Sequence, residues 1–585
     1  MLAKLREDAV GKWAEPLSPA GSIRRRFLRR REFLKLGGAA ALTRLHGRIR
    51  GMPASSAGWL PAGQGAVPSQ VAATGSHKLT YHFDAARTGY VPGSRGPSTA
   101  DLAKWHKYQT VNLGSAVRGA PLYLDAWQVQ KGSAQGQTHN LLYVVASDNT
   151  VAAFDTDQLR SASTPLWSKR LGTAYSGDSG ANIPGPNGID GTPVLDPDRR
   201  RLYIISQQAA GGGNAAYQVY ALDVDSGDVV SNAPLQFAGG NGRPSFDPNV
   251  EDQRTALALA AGRLYGTFAA FLHDDRGLYR GWIVSINPDN LSDQRWFPTI
   301  LRTRGGGVWG QGGVAFAPDN TFYFATGNAF AIGNEGVSLG FAGEDDYWNK
   351  LGDLKPADYG DFLQAIVRMG TGQQDLQVLD WYSPSNARDQ NANDRDLGTS
   401  PMLLPEIGGK ELLITTGKDG SGYVLDRLHL GGWGGELQKV GVSNDWSMTA
   451  PTYFRSAAAE HYVILGGAGK PGLQGFKVVA TGDGVVLVNA WAMGDGNVPF
   501  GLFPGMPELA GADDTATLWI ADGADDVSQP TLYAVNAIDG KQVWSSAQSP
   551  ADALPRTPHF PVVTYAARSI YVGTMTGFVC YGVTG

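Results

Sequence analysis

The chain has 585 residues and a formal net charge of −5, and only 18% of its residues are charged. Glycine is abundant at 78 residues and tryptophan reaches 15, a balance that suits many short strands joined by tight turns and excludes a mainly helical architecture. Residues 1–50 hold 13 Lys and Arg against 4 Asp and Glu, leaving 36 against 50 for the rest, so the body is acidic and nucleic acid is not an expected partner.

In chain order, the basic N-terminal arm (1–50) contains Arg30-Arg31-Glu32-Phe33-Leu34-Lys35. This resembles the RRxFLK signal of twin-arginine export and is followed by an apolar stretch from Leu36 to Leu42, which predicts an exported, periplasmic or extracellular protein. Arg44, Arg48 and Arg50 interrupt that stretch and no A-x-A site follows, so a disordered basic arm is the alternative. Residues 51–76, rich in Pro, Gly, Ala and Ser, read as a linker. No run of 18 apolar residues is present, so no transmembrane helix is expected. The one cysteine, Cys580, alternates within FVCYGV as a buried small hydrophobe and excludes an intrachain disulfide.

From residue 77 onward a hairpin unit recurs. Its clearest copy is TLYAVNAIDGKQVWS (531–545), in which Leu532, Ala534 and Asn536 alternate with Tyr533, Val535 and Ala537 before the turn pair Asp539-Gly540. Weaker copies lie ahead of Trp167, at 217–230 and ahead of Trp296. A lone hairpin cannot bury both faces, so the repetition predicts stacked sheets.

The repeats are out of phase. HFDAARTGY (82–90) and LAKWHKYQTVNL (102–113) look like the outer edge of a blade whose other strands lie at the far end of the chain, in residues 557–583. Seven further units open near Arg118 and at 188, 254, 306, 396, 447 and 505. The expected fold is therefore all-β, an eight-bladed β-propeller of four-stranded antiparallel sheets over residues 77–585. An N-terminal strand would close its last blade. Seven blades with an insertion at 329–361 is the alternative, and GEDDYWNK within that insertion could lid one face. A closed ring hides its own edges and is expected as a monomer.

These repeats resemble those of quinoprotein-type propellers, the family that includes pyrroloquinoline quinone (PQQ) dependent alcohol dehydrogenases. The opening DAARTGY (84–90), GIDGTP (188–193), GGVW (306–309) and LDR (425–427) resemble, more closely, a group of secreted bacterial propellers. The resemblance implies a site in the fourth and fifth units. In VWGQGGVAFAPDNTFYFATGN, Trp309 would be the floor under the quinone, a flat face suited to a planar ring. Asn328 would be a calcium ligand through its neutral amide oxygen. In NDRDLGTSPMLL, Asp396 would be the catalytic base with Asp394 as its neighbour, and in TTGKDGSGYVLDR Lys418 would bind the quinone oxygens. PQQ and calcium would be the cofactors, and an alcohol or sugar the substrate.

Three features depart from the family. No adjacent cysteine pair exists. Arg276 stands about where the calcium-binding glutamate precedes the segment YRGW (279–282), with Asp274 and Asp275 beside it, and an arginine there repels a cation. Calcium, and PQQ with it, is set against by that residue. Separately, Asp389, Asn391 and Asn393 have the spacing of the first half of an EF-hand loop, but Asp394 and Ser400 occupy its glycine and glutamate positions. Two readings stay open, a quinone-dependent dehydrogenase and a non-catalytic scaffold that binds a protein partner in the cell envelope.

Overall fold

The hairpin at 531–545 forms as its alternation dictates. Strands Thr531–Asn536 and Gln542–Ser545 pair antiparallel around a turn in which Gly540 takes a φ of +70°. Leu532 and Ala534 enter one apolar cluster, shared with Val563, Ile570 and Val579, whereas Val535 and Ala537 enter another, shared with Phe454 and Ile464. Each face of one thin sheet is thus buried against a different neighbour.

The computed structural model describes residues 77–583, apart from 177–184, 241–242, 271–278, 331–359, 373–375, 483 and 525–526. The export-like signal, the linker and the GEDDYWNK segment lie outside the described residues. Eight small antiparallel sheets follow one another, making an eight-bladed propeller. Their first strands are Leu122–Gln128, Val194–Asp196, the split pair Glu251–Asp252 and Ala258–Ala260, Ala315–Phe316, Met402–Leu403, Thr452–Arg455, Glu508–Ala510 and Val563–Ala566. Blade 4 gains a fifth strand, Gly432–Trp433, parallel to Leu376–Ser383.

Eight apolar clusters among the described residues each join two adjacent blades. The cluster that completes the ring packs Val111, Tyr123, Leu142 and Phe154 of the chain's beginning against Tyr571, Phe578 and Cys580 of its end. Strand His106–Asn112 pairs antiparallel with Gly577–Gly582 as the outer strand of blade 8, with a bulge between Lys107 and Gln109. Closure by an N-terminal strand is therefore as expected.

Residues 82–90 are different. They were expected at the outer edge of that blade, but they lie in a segment, 78–95, that reaches all eight sheets. Lys78 exchanges backbone hydrogen bonds with Tyr123 of blade 1, and the Leu195 N–H donates to Leu79 O. Buried Arg87 donates from Nη2 to Leu257 O at 3.2 Å and from Nε to Val314 O at 3.0 Å. N–H groups of Phe316, Leu403, Tyr453 and Ala512 donate to Ala85, Ala86, Thr88 and Ser94, and the Tyr565 hydroxyl to Arg95 O. The path needs left-handed backbone at His82, Phe83 and Arg87, which no strand could supply. This hub is thus hydrogen-bonded to the blades around the ring, mostly at or beside their first strands.

Candidate functional site

The blades present the candidate side chains from two kinds of segment. One is the stretch just ahead of each first strand, which carries Asp190, Arg254, Trp309 and Asp396. The other is the turn between second and third strands, which carries Lys418 between Leu412–Thr416 and Ser421–Asp426. Asn328 ends the segment after strand Phe322–Ala325. The five residues singled out in the sequence meet here.

Lys418 is the centre of the group. Its ammonium is ion-paired with Asp396 Oδ2 and lies 3.5 Å from Asp394 Oδ1, and its backbone N–H donates to Asp396 O at 2.8 Å. Nζ also lies 4.9 Å from the centre of the Trp446 ring. The three charged side chains are only 7–12% exposed, so their attraction is weakly screened. Asp396 Oδ1 accepts the backbone N–H of Asn328 at 2.7 Å, and the Asn328 side-chain amide donates to Asp394 Oδ1 at 2.8 Å. Asp394 follows the short helix Ala387–Ala392 with a φ of +55°, a left-handed turn that aspartate tolerates.

Trp309 borders this network. A Cβ added to Gly327 would press on both its indole nitrogen and Asp396 Oδ1, and one on Gly398 would come 3.0 Å from its ring. Glycine at these positions lets the backbone seat the indole. Trp309 Nε1 is buried with no hydrogen-bond partner among the described residues. The Arg254 guanidinium lies over the ring at 4.9 Å from its centre, with Phe560 on its other contact at 5.9 Å, and Tyr279 meets the indole edge-on.

A second polar group lies in the neighbouring segments. Arg118 Nε is 3.2 Å from Asp190 Oδ1, which also accepts from the Ser147 hydroxyl. Burial pushes the carboxyls of Asp190 and Asp252 up, and for Asp252 the nearby Asp190 charge adds to it. Asp252 Oδ2 is buried without a hydrogen-bond partner among the described residues.

Sequence reasoning missed Arg254, Gln364, Trp446 and this carboxylate pair. The signal was available for Arg254 and Asp190, because both hold the position that Trp309 and Asp396 hold in their own repeats. The EF-hand-like spacing, already broken at Asp394 and Ser400, does not form a loop of that kind. Asp389 and Asn391 are in helix Ala387–Ala392, and Asn391 is spent on the backbone of Ala329, accepting its N–H at 2.8 Å and donating to its carbonyl at 3.1 Å. Asp274, Asp275 and Arg276 lie outside the described residues.

The donors here fit a divalent cation poorly. The Lys418 ammonium already lies against both carboxylates and offsets one of their two charges, the Asn328 amide oxygen accepts from Gln364 Nε2 at 2.5 Å, and no group of three His, Cys, Asp or Glu side chains able to hold a metal occurs among the described residues. A planar anionic ring suits the charges better, since the cations Arg254 and Lys418 flank Trp309 and Asp396, but the Arg254 guanidinium lies over the Trp309 ring and would have to swing off it for a second ring to stack there. Among the described residues no helix is long and apolar enough to cross a membrane.

No family model matches the sequence, and no curated protein matches it. Among solved structures the chain is similar to the quinohemoprotein alcohol dehydrogenase of Comamonas testosteroni, with 15% identity and a TM-score of 0.56 over 88% of this chain and 81% of that one. A quinohemoprotein alcohol dehydrogenase of Pseudomonas putida HK5 gives 13% and 0.52 over 87% and 80%, and a europium-containing methanol dehydrogenase 12% and 0.52 over 87% and 98%. At such identities the likeness is one of fold, and what it establishes is an eight-bladed β-propeller.

Proposed function

We propose that this chain is an exported quinoprotein-like oxidoreductase that oxidises a small alcohol or sugar at this site. One observation carries the reading: Asp396, Asp394, Asn328 and Lys418 form one buried hydrogen-bonded group at the border of Trp309. Trp309 and Arg254 would hold PQQ, with Lys418 toward its oxygens. Bound there, the quinone would supply the acceptor for hydride. Asp396 would take the hydroxyl proton of the substrate, and Lys418, held by two carboxylates and a backbone carbonyl, would orient it.

The full-length protein incubated with PQQ should show quenched tryptophan fluorescence and dye-linked alcohol oxidation. Trp309→Ala should reduce the quenching, and Asp396→Ala should abolish the turnover. Absence of any spectral change at micromolar PQQ would remove the reading.

A second reading is favoured by the same ion pair. A carboxylate already paired with an ammonium is a weaker base, and the lone Cys580 is buried with its thiol pushed up by burial. These observations suit a propeller that binds an envelope protein without chemistry. PQQ binding without turnover on any alcohol or sugar would leave this reading in place.

A further inference from the structure

We infer that the Lys418 ammonium stands where a divalent cation would otherwise sit, so that this site of the propeller is built to work without a metal. The inference rests on the geometry of the cluster and holds whether or not the protein is a dehydrogenase.

The argument starts from a donor whose direction is fixed. The backbone N–H of Leu397 can only donate, and it does so to Gln364 Oε1 at 2.6 Å. Gln364 therefore turns its NH2 outward, and that group donates to Asn328 Oδ1. Asn328 in turn presents its NH2 to Asp394 Oδ1. Amide oxygen and nitrogen are ordinarily hard to tell apart, but this relay, anchored on a main-chain donor, sets both side chains. A calcium or lanthanide ion takes oxygen ligands, and the end of the relay offers it N–H.

The charge balance leads to the same place. Two buried carboxylates converging on one point need a positive partner. Lys418 provides it from within the chain, tied to Asp396 twice, through its ammonium and through its backbone N–H. A tethered cation competes with a free ion at high effective concentration. A metal entering the site would have to expel the ammonium, desolvate beside it and reverse two amides. Removing the lysine amine leaves the reverse case, in which the ammonium no longer lies against Asp394 and Asp396 and their oxygens are open to a cation, while the relay from Leu397 still holds the Asn328 NH2 toward Asp394.

Terbium luminescence tests this, because Trp446 lies within sensitising range. The full-length wild type should show no sensitised emission from this site, and its melting temperature should not move with added calcium or with chelator. Lys418→Ala should bind terbium at least about tenfold more tightly than wild type. That emission should be lost when Asp396→Asn is added, and calcium should raise the melting temperature of Lys418→Ala alone. Terbium binding by the wild type that Asp396→Asn abolishes would overturn the inference. So would a folded Lys418→Ala that gains no affinity, since the oxygens would then not define a cation site. Should Lys418→Ala not fold unaided, its refolding yield with and without calcium discriminates equally: rescue supports the inference and equal yields overturn it.

Discussion

Asp396 has to serve two masters, holding Lys418 in place and accepting a proton. Asp396→Asn keeps the shape but removes the charge, so the ion pair with the ammonium becomes a neutral hydrogen bond, while Asp394 stays at 3.5 Å from Lys418. Turnover should fall by roughly 10²–10⁴, whereas the affinity for an anionic ring should hold or rise, since Lys418 is then less neutralised. Steady-state rates alongside fluorescence titration separate the two effects. In the split first strand of blade 3, burial pushes the Glu251 carboxyl from 4.5 up to about 8, against the pull of N–H donors from Asp247 and Trp282. The folded state keeps this group neutral while the unfolded chain ionises it. Its contribution to stability is full below about pH 4.5 and is lost as pH rises through about 8, at up to about 1.4 kcal/mol per unit. Glu251→Gln should flatten that part of the profile in urea denaturation measured between pH 5 and pH 8, and should make the variant more stable than wild type at the upper end.

Among the elements, strands were legible and the hub was not. Alternation of apolar and polar residues reports a strand because every second side chain meets the same surface, and at 531–545 even the two buried faces could be separated in advance. Trp309, Asp394, Asp396, Asn328 and Lys418 were legible through their resemblance to a known motif order. Gln364 was not, because a glutamine whose task is to orient another amide has no spacing of its own. The stretch 82–90 was misread because its residues bond to blades 3, 4, 5 and 6 in turn, none of them near in sequence, and such contacts leave no period. The hub also contains Lys78 and Glu508, an ion pair with side chains only 0% and 1% exposed. Breaking it from one side strands a buried charge. Lys78→Met should therefore cost about 3–5 kcal/mol in unfolding free energy, whereas Lys78→Met combined with Glu508→Gln should recover much of that loss. Additive losses in the double-mutant cycle would mean that the two side chains stabilise the hub independently.

At the scale of the ring, no blade is self-sufficient, because each of the eight clusters draws its side chains from two neighbours. Seven of these interfaces join sheets that are also continuous in the chain. The interface between blades 8 and 1 joins segments more than four hundred residues apart, and the entropy of closing so long a loop opposes it. That interface depends on strand His106–Asn112, where Val111 is 3% exposed and Phe154 meets Phe578 edge-on at 5.3 Å. Val111→Asp would place a carboxylate in this cluster and leave the edge of Gly577–Gly582 open to water. If the ring opens at its seam, hydrogen exchange in the variant should rise first in residues 106–112 and 577–582. The interface between blades 2 and 3, around Phe268 and Trp282, should keep its protection until higher denaturant. A uniform rise at both places would mean that the hub, which touches all eight sheets, binds them into one cooperative unit, and that the seam is no weaker than any other joint.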